Sequence, residues 1–180
     1  MREAYGPAMH VRDATEADGA ACAAIYRPYV TDSAISFETE PPTAQEMAER
    51  IARAVRAHAW LVLEDDGRVV AYAYGGPFRP RAAYRWSCEV SVYAEAGRRR
   101  TGAGRALYER LLRRLAERGY RTALAGMTLP NEASVELHRA MGFEPVGTYR
   151  KVGHKLGRWH DVAWVQLMLA TGDEPPAEPA

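Results

Sequence analysis

The feature that most constrains this chain is a run of three adjoining segments. An alternating apolar stretch, Glu89-Val90-Ser91-Val92-Tyr93, is followed by Arg98-Arg99-Arg100-Thr101-Gly102-Ala103-Gly104-Arg105 and then by Ala106–Leu115 with helical apolar spacing. The order is strand, glycine turn, helix. A helix start carries unpaired backbone N–H groups and a partial positive charge, which suits a phosphate. Gly102 and Gly104 have no Cβ to hold an anion away from the main chain, and four arginines stand beside them. The residues alone leave two readings open: a phosphate cradle, or a tight turn beside a solvated basic helix.

The rest of the chain fits around that unit. His10–Ala14 reads as a short first strand, and Thr15 as the cap of a helix through about Tyr26. Thr43 with Glu46 forms a capping box for a helix whose Met47, Ile51 and Val55 recur every four residues. Trp60–Leu63 and Val69–Tyr74 read as strands joined through Asp66-Gly67. Leu107, Leu111 and Leu115 share one helix face, and Gly119 closes that helix. Ala123–Met127 is a short strand, Asn131 caps a helix to about Met141, and Asp161–Leu169 is the last strand. A β-meander, then β-α-β-α, then β, predicts a mixed, mostly antiparallel central sheet with helices on both faces.

With 180 residues the chain suits one domain, expected over 9–170, with a flexible stretch at 1–8 and a disordered Pro-rich tail at 171–180. Met9 is a second candidate start. A formal net charge of +1 argues against binding nucleic acid or membrane through overall charge. Cys22 and Cys88 lie too far apart in sequence for a metal-ligand pair and form no disulfide framework, which fits a reduced cytoplasmic setting. No metal site is expected.

Two common phosphate motifs fail. The dinucleotide fingerprint wants a small residue where Leu107 stands, and the P-loop's Gly-Lys-Ser/Thr is missing. Arg99, Gly102 and Gly104 instead satisfy Arg/Gln-x-x-Gly-x-Gly/Ala. This resembles the coenzyme A pyrophosphate motif of the GCN5-related N-acetyltransferases (GNAT). The likeness extends through Phe37–Pro41, Tyr84–Trp86, Glu89–Tyr93, Leu129–Asn131, Met141–Phe143 and Gly153–Val162, and is with the phosphinothricin N-acetyltransferase branch.

The resemblance implies acetyl-CoA as cosubstrate and a small-molecule amine as acceptor, such as phosphinothricin, methionine sulfone or methionine sulfoximine. It implies that the backbone of Val92 and Tyr93 pairs with the pantetheine arm, and that Arg99, Arg100, Thr101, Gly102, Ala103, Gly104 and Arg105 hold the pyrophosphate. Asn131 and Ser134 would serve the pantetheine or its sulfur, although Asn131 also reads simply as a helix cap. Glu89 would be the general base, since a carboxyl in an apolar strand gains proton affinity by burial. The other reading is a carboxylate facing solvent or paired with an arginine. His138 matches a further catalytic position, and His160 is a weaker one. No tyrosine follows Asn131 in its helix, so a tyrosine acid is not expected there and water would serve.

Phe37, Arg79, Arg81, Tyr84, Ser91 and Thr128 would line the acceptor site. Thr128 stands where the branch commonly has glycine, and Gly126 where it has a larger apolar residue, so the pocket is expected to be reshaped. Cys88 as an acyl-carrying nucleophile is a minor alternative. A homodimer is expected, with Trp159, Trp164 and the last strand as interface pieces. Other acceptors (a polyamine, an aminoglycoside, a protein N-terminus) and a non-catalytic acyl-CoA sensor are the competing functions.

Overall fold

A computed structural model describes residues 9–98, 101–174 and 177–179. The expectations for 1–8, for Arg99 and Arg100, and for 175, 176 and 180 lie outside them. The described elements are β1 (Met9–Asp13), α1 (Gly19–Thr31), α2 (Ala44–Ala57), β2 (Ala59–Asp65), β3 (Arg68–Pro77), β4 (Ser87–Ala94), α3 (Ala103–Glu117), β5 (Thr122–Thr128), α4 (Glu132–Ala140), β6 (Glu144–Lys155) and β7 (Arg158–Met168).

One seven-stranded sheet runs in the order β1-β2-β3-β4-β5-β7-β6. Every neighbouring pair is antiparallel except β4 with β5, which are parallel. The mixed, mostly antiparallel sheet is therefore as expected. Its two faces bury separate cores. Leu107, Leu111 and Leu115 of α3 pack with Leu61, Leu63, Cys88 and Val90 on one face. Ile25 and Tyr26 of α1 and Met47 and Ile51 of α2 pack with Trp60, Val62 and Tyr72 on the other.

Several local readings hold and several need correction. The Thr43–Glu46 capping box is formed from both directions, at 3.2 and 2.7 Å. Val55, however, is exposed, and α2 buries Met47, Ile51 and Ala54. A spacing of four overshoots the 3.6-residue turn, so after two steps the face has rotated off the core. Thr15 opens a single 3-10 turn, Glu16–Asp18, before α1 begins. α1 then runs to Thr31, past the expected end at Tyr26 and through Pro28. Burial of Val30 and a bond from the Tyr29 hydroxyl to the Ala94 carbonyl (2.6 Å) hold that last turn despite the missing N–H.

β6 was not expected. It has no buried alternation for a reader to find, being exposed along almost its whole length. The turn joining it to β7 places Leu156 and Gly157 at φ 52° and 76°, the left-handed pair of a tight hairpin. β7 consequently starts at Arg158 rather than Asp161.

The arginine clusters are largely structural ties. Arg98 pairs with Asp65 and Arg105 with Glu109. Arg110 donates to the Val11 carbonyl, Arg114 pairs with Asp13, and Arg118 caps the carbonyls of Val55, Arg56 and His58. These contacts divide the basic residues among neighbouring carboxylates and helix ends.

Candidate active site

β4 and β5 run together only briefly. Their ladder covers Ser87–Glu89 against Thr122–Leu124 and then stops. β4 remains paired with β3 as far as Ala94, and β5 with β7 as far as Thr128. The two strands therefore part just beyond Glu89, and each turns an unpaired backbone edge into the opening. A cavity of about 400 Å³ occupies the gap, lined on β4 by Ser91, Val92 and Tyr93 and on β5 by Gly126 and Thr128. Unpaired strand edges are ready hydrogen-bonding partners for an extended chain of amides.

The same cavity reaches Thr101, Gly102, Ala103, Gly104 and Arg105 at the start of α3, and Asn131, Ser134 and His138 on α4. The two glycines do different work. Gly102 is the residue before α3 and sits at φ 85°, a conformation that glycine adopts at no steric cost. At Gly104 a Cβ would come within 3.0 Å of Leu137, so this glycine lets α3 and α4 approach each other. The free N–H groups of the α3 start face a groove whose unpaired strands suit amides, and together they fit an acyl-pantetheine with its pyrophosphate.

Glu89 sits at the fork. Burial raises its pKa, opposed in part by the charge of Arg79. Among the described residues its carboxylate makes no hydrogen bond or ion pair. The residues expected to line the acceptor site are grouped less tightly. Phe78, not anticipated from sequence, meets Tyr84 at 5.7 Å and Trp164 at 5.9 Å, both edge-on, and Arg79 lies over its ring at 5.1 Å. Arg81 is exposed just before the 3-10 turn that carries Tyr84. Phe37 stands apart from this cluster, against Gly153 and His160 at the β6–β7 end.

His138 is 3% exposed, and burial lowers its pKa. Its Nδ1 lies 2.7 Å from the Ser134 carbonyl, which can only accept, so the proton is on Nδ1. Nε2 then accepts from the Tyr108 hydroxyl at 3.0 Å. Tyr108 was missed because it comes from α3, not from the helix after Asn131. The one available signal was a tyrosine in an apolar stripe, whose hydroxyl needs a partner when buried.

Asn131 is a cap as well as a cavity residue, its Oδ1 accepting from the Ser134 N–H. His160 is buried and bonds the Lys155 carbonyl at 2.9 Å, locking the β6–β7 turn. Cys88 is fully buried in the α3-side core and its thiol is pushed up to about 12 by burial, so the acyl-carrying role is excluded. Among the described residues no cluster of potential ligands could hold a metal ion, and no helix is long and apolar enough to cross a membrane.

Gly126 leaves room for an aromatic ring. A Cβ there would stand 3.1–3.3 Å from the Trp164 indole, so the ring lies flat over the bare backbone. Trp164 thus packs within the chain's own cleft. Gly126→Val would tilt the indole toward Phe78. We expect kcat/KM for the acceptor to fall about tenfold, equivalent to about 1.4 kcal/mol, and Trp164→Phe in the same chain to restore it, as steady-state kinetics would show.

The acetyltransferase (GNAT) domain model matches residues 11–164. A phosphinothricin N-acetyltransferase of Streptomyces viridochromogenes is 40% identical over 158 residues, covering 88% of this chain and 86% of that protein. An L-methionine sulfoximine/L-methionine sulfone acetyltransferase of Pseudomonas paraeruginosa is 38% identical over 161 residues, covering 88% and 94%. The crystal structure of a GNAT phosphinothricin acetyltransferase from Sinorhizobium meliloti, in complex with acetyl-CoA, superimposes with a TM-score of 0.90 at 36% identity, covering 95% and 94%. The parted strands, the glycine-led helix and the family match agree: the chain belongs to the GNAT acetyltransferase family and is an acetyl-CoA-dependent N-acetyltransferase.

Proposed function

We propose that this enzyme acetylates the amino group of a small amino-acid-like acceptor of the phosphinothricin, methionine sulfone or methionine sulfoximine type, with Glu89 as general base. The observation that carries the reading is a half-buried carboxylate at the fork of β4 and β5, without a hydrogen bond or ion pair among the described residues and with its pKa raised by desolvation. Acetyl-CoA supplies an activated thioester. An amine arrives as an ammonium and has no lone pair to attack with until a base takes its proton. Glu89, whose proton affinity is raised by burial, accepts that proton directly or through one water.

The open backbone edges of Val92 and Tyr93 hold the pantetheine amides, and the start of α3 from Thr101 to Arg105, with Arg99 and Arg100 before it, holds the pyrophosphate. Asn131 and Ser134 hold the arm near its sulfur. His138, its ring held between the Tyr108 hydroxyl and the Ser134 carbonyl, stands beside the cavity, where a water returns a proton to the departing thiolate. Arg79 and Arg81 meet the acceptor's anionic group, Tyr84 and Ser91 add hydroxyls, and Phe37 and Thr128 shape the side-chain end. Exposed Val146, Tyr149, Val152, Leu156 and Trp159 along β6 and the hairpin support a homodimer through this edge. Two buried free thiols support a reducing, cytoplasmic setting.

A thiol-release assay tests the reading: acetyl-CoA with phosphinothricin, methionine sulfone, methionine sulfoximine and a polyamine control, with light scattering on the same sample. Saturable release with one of the amino-acid analogues, and a dimeric mass, is the expected result. Release with the polyamine alone would overturn the acceptor class.

A further inference from the structure

We infer that Lys155 is a positioning residue for acceptor binding, acting through Phe37. Lysine is a costly residue to bury, yet Lys155 is 8% exposed. It lies at the end of β6 with its ammonium 2.6 Å from the Ser36 carbonyl, across 119 residues of chain. The next residue, Phe37, is pressed so closely onto the hairpin that a Cβ at Gly153 would collide with its ring. The opposite side of the loop is fixed as well. The Tyr26 hydroxyl bonds Ser36 at 2.6 Å and Glu38 at 3.0 Å, and Arg50 grips both oxygens of Glu38 at 2.7 and 2.9 Å.

The loop is thus held from α1 and α2 on one side, where the Tyr26–Glu38–Arg50 contacts would survive without Lys155. From the β6–β7 hairpin the single charged hold is Lys155, among the described residues. Phe37 itself is 41% exposed, with one side of its ring against Gly153. Lys155 and the absent side chain of Gly153 therefore set where the aromatic surface stands. A protein that needed only to close this loop would be served by an apolar residue in place of a buried ammonium. The ammonium instead fixes a direction, since it bonds one carbonyl at one distance.

The inference rests on the acceptor-binding role proposed for Phe37. Lys155→Met and Gly153→Ala disturb the same ring by unrelated means, one by loss of the hold and one by collision. Each is expected to raise the acceptor KM about tenfold while leaving the acetyl-CoA KM within twofold. Phe37→Ala is expected to do the same, and Lys155→Met/Phe37→Ala to be no worse than Phe37→Ala alone, because the hold has nothing left to position. Should Lys155→Met fail to fold, Lys155→Gln, alone and combined with Phe37→Ala, gives the same comparison.

An unchanged acceptor KM in Gly153→Ala and Lys155→Met, a parallel rise in the acetyl-CoA KM, or additive losses in the double variant would overturn the inference. Wild-type enzyme inactive with every acceptor would overturn the function proposed above and this inference with it. A wild type that turns over, with variants that behave like it, overturns only the inference.

Discussion

Glu89→Gln is expected to lower kcat by about 10²–10⁴-fold, the range that a positioned general base contributes, with the acetyl-CoA KM nearly unchanged. The side chains are of equal size, and the cavity that receives the cofactor begins beyond residue 89. What is lost is the ability to take a proton. The pH profile separates this from damage to the fold. Burial places the Glu89 pKa above the usual carboxylate range, so wild-type kcat/KM should rise with pH as the carboxyl ionises, and the Gln variant should lose that limb.

Stability should move the other way. A carboxyl that binds its proton more tightly folded than unfolded favours the fold at low pH, and that advantage is lost as pH rises through the folded pKa. The Gln variant has no charge to bury, so its melting temperature at neutral pH should equal or exceed that of the wild type. Unchanged turnover would remove Glu89 from the mechanism.

The second large effect is on folding. Leu107→Ala is expected to cost about 2–5 kcal/mol, the range for a fully buried leucine whose cavity cannot collapse. Leu107 is completely buried, one turn into α3, where the helix packs on the strands beneath. For a chain of this length that corresponds to a fall in Tm of roughly 4–20 °C. Saturating acetyl-CoA should return part of it, about 2.7 kcal/mol at a hundredfold excess over Kd. A melting experiment with and without acetyl-CoA reads both quantities. A Tm unchanged by the substitution would mean that the α3 face is not the keystone of that core.

Much of this was legible in the sequence because its signals are local. The glycine turn before α3, the Thr43 capping box and the Asp-Gly hairpin are chemistry of adjacent residues, and each stands where expected. What could not be read was distant contact. Tyr108 and His138 meet across 30 residues and Lys155 and Ser36 across 119, and no periodicity encodes such pairs. β6 was invisible for another reason: neither of its faces is consistently covered, so it carries no alternation. Phe78 was overlooked beside its conspicuous basic neighbours, although it is the ring that joins Arg79, Tyr84 and Trp164.

The short ladder between β4 and β5 has a mechanical consequence. Among the described residues, three paired positions, with bonds from the Arg121 and Thr122 N–H groups to the Trp86 carbonyl beside them, stitch β1–β4 to the β5-β7-β6 panel within the sheet. The sheet is thus two stiff panels with a seam left unsewn for most of its length. A thread of amides drawn into that seam would complete the fabric, so loading the donor should stiffen the protein across its middle and releasing it should leave the panels free to flex again.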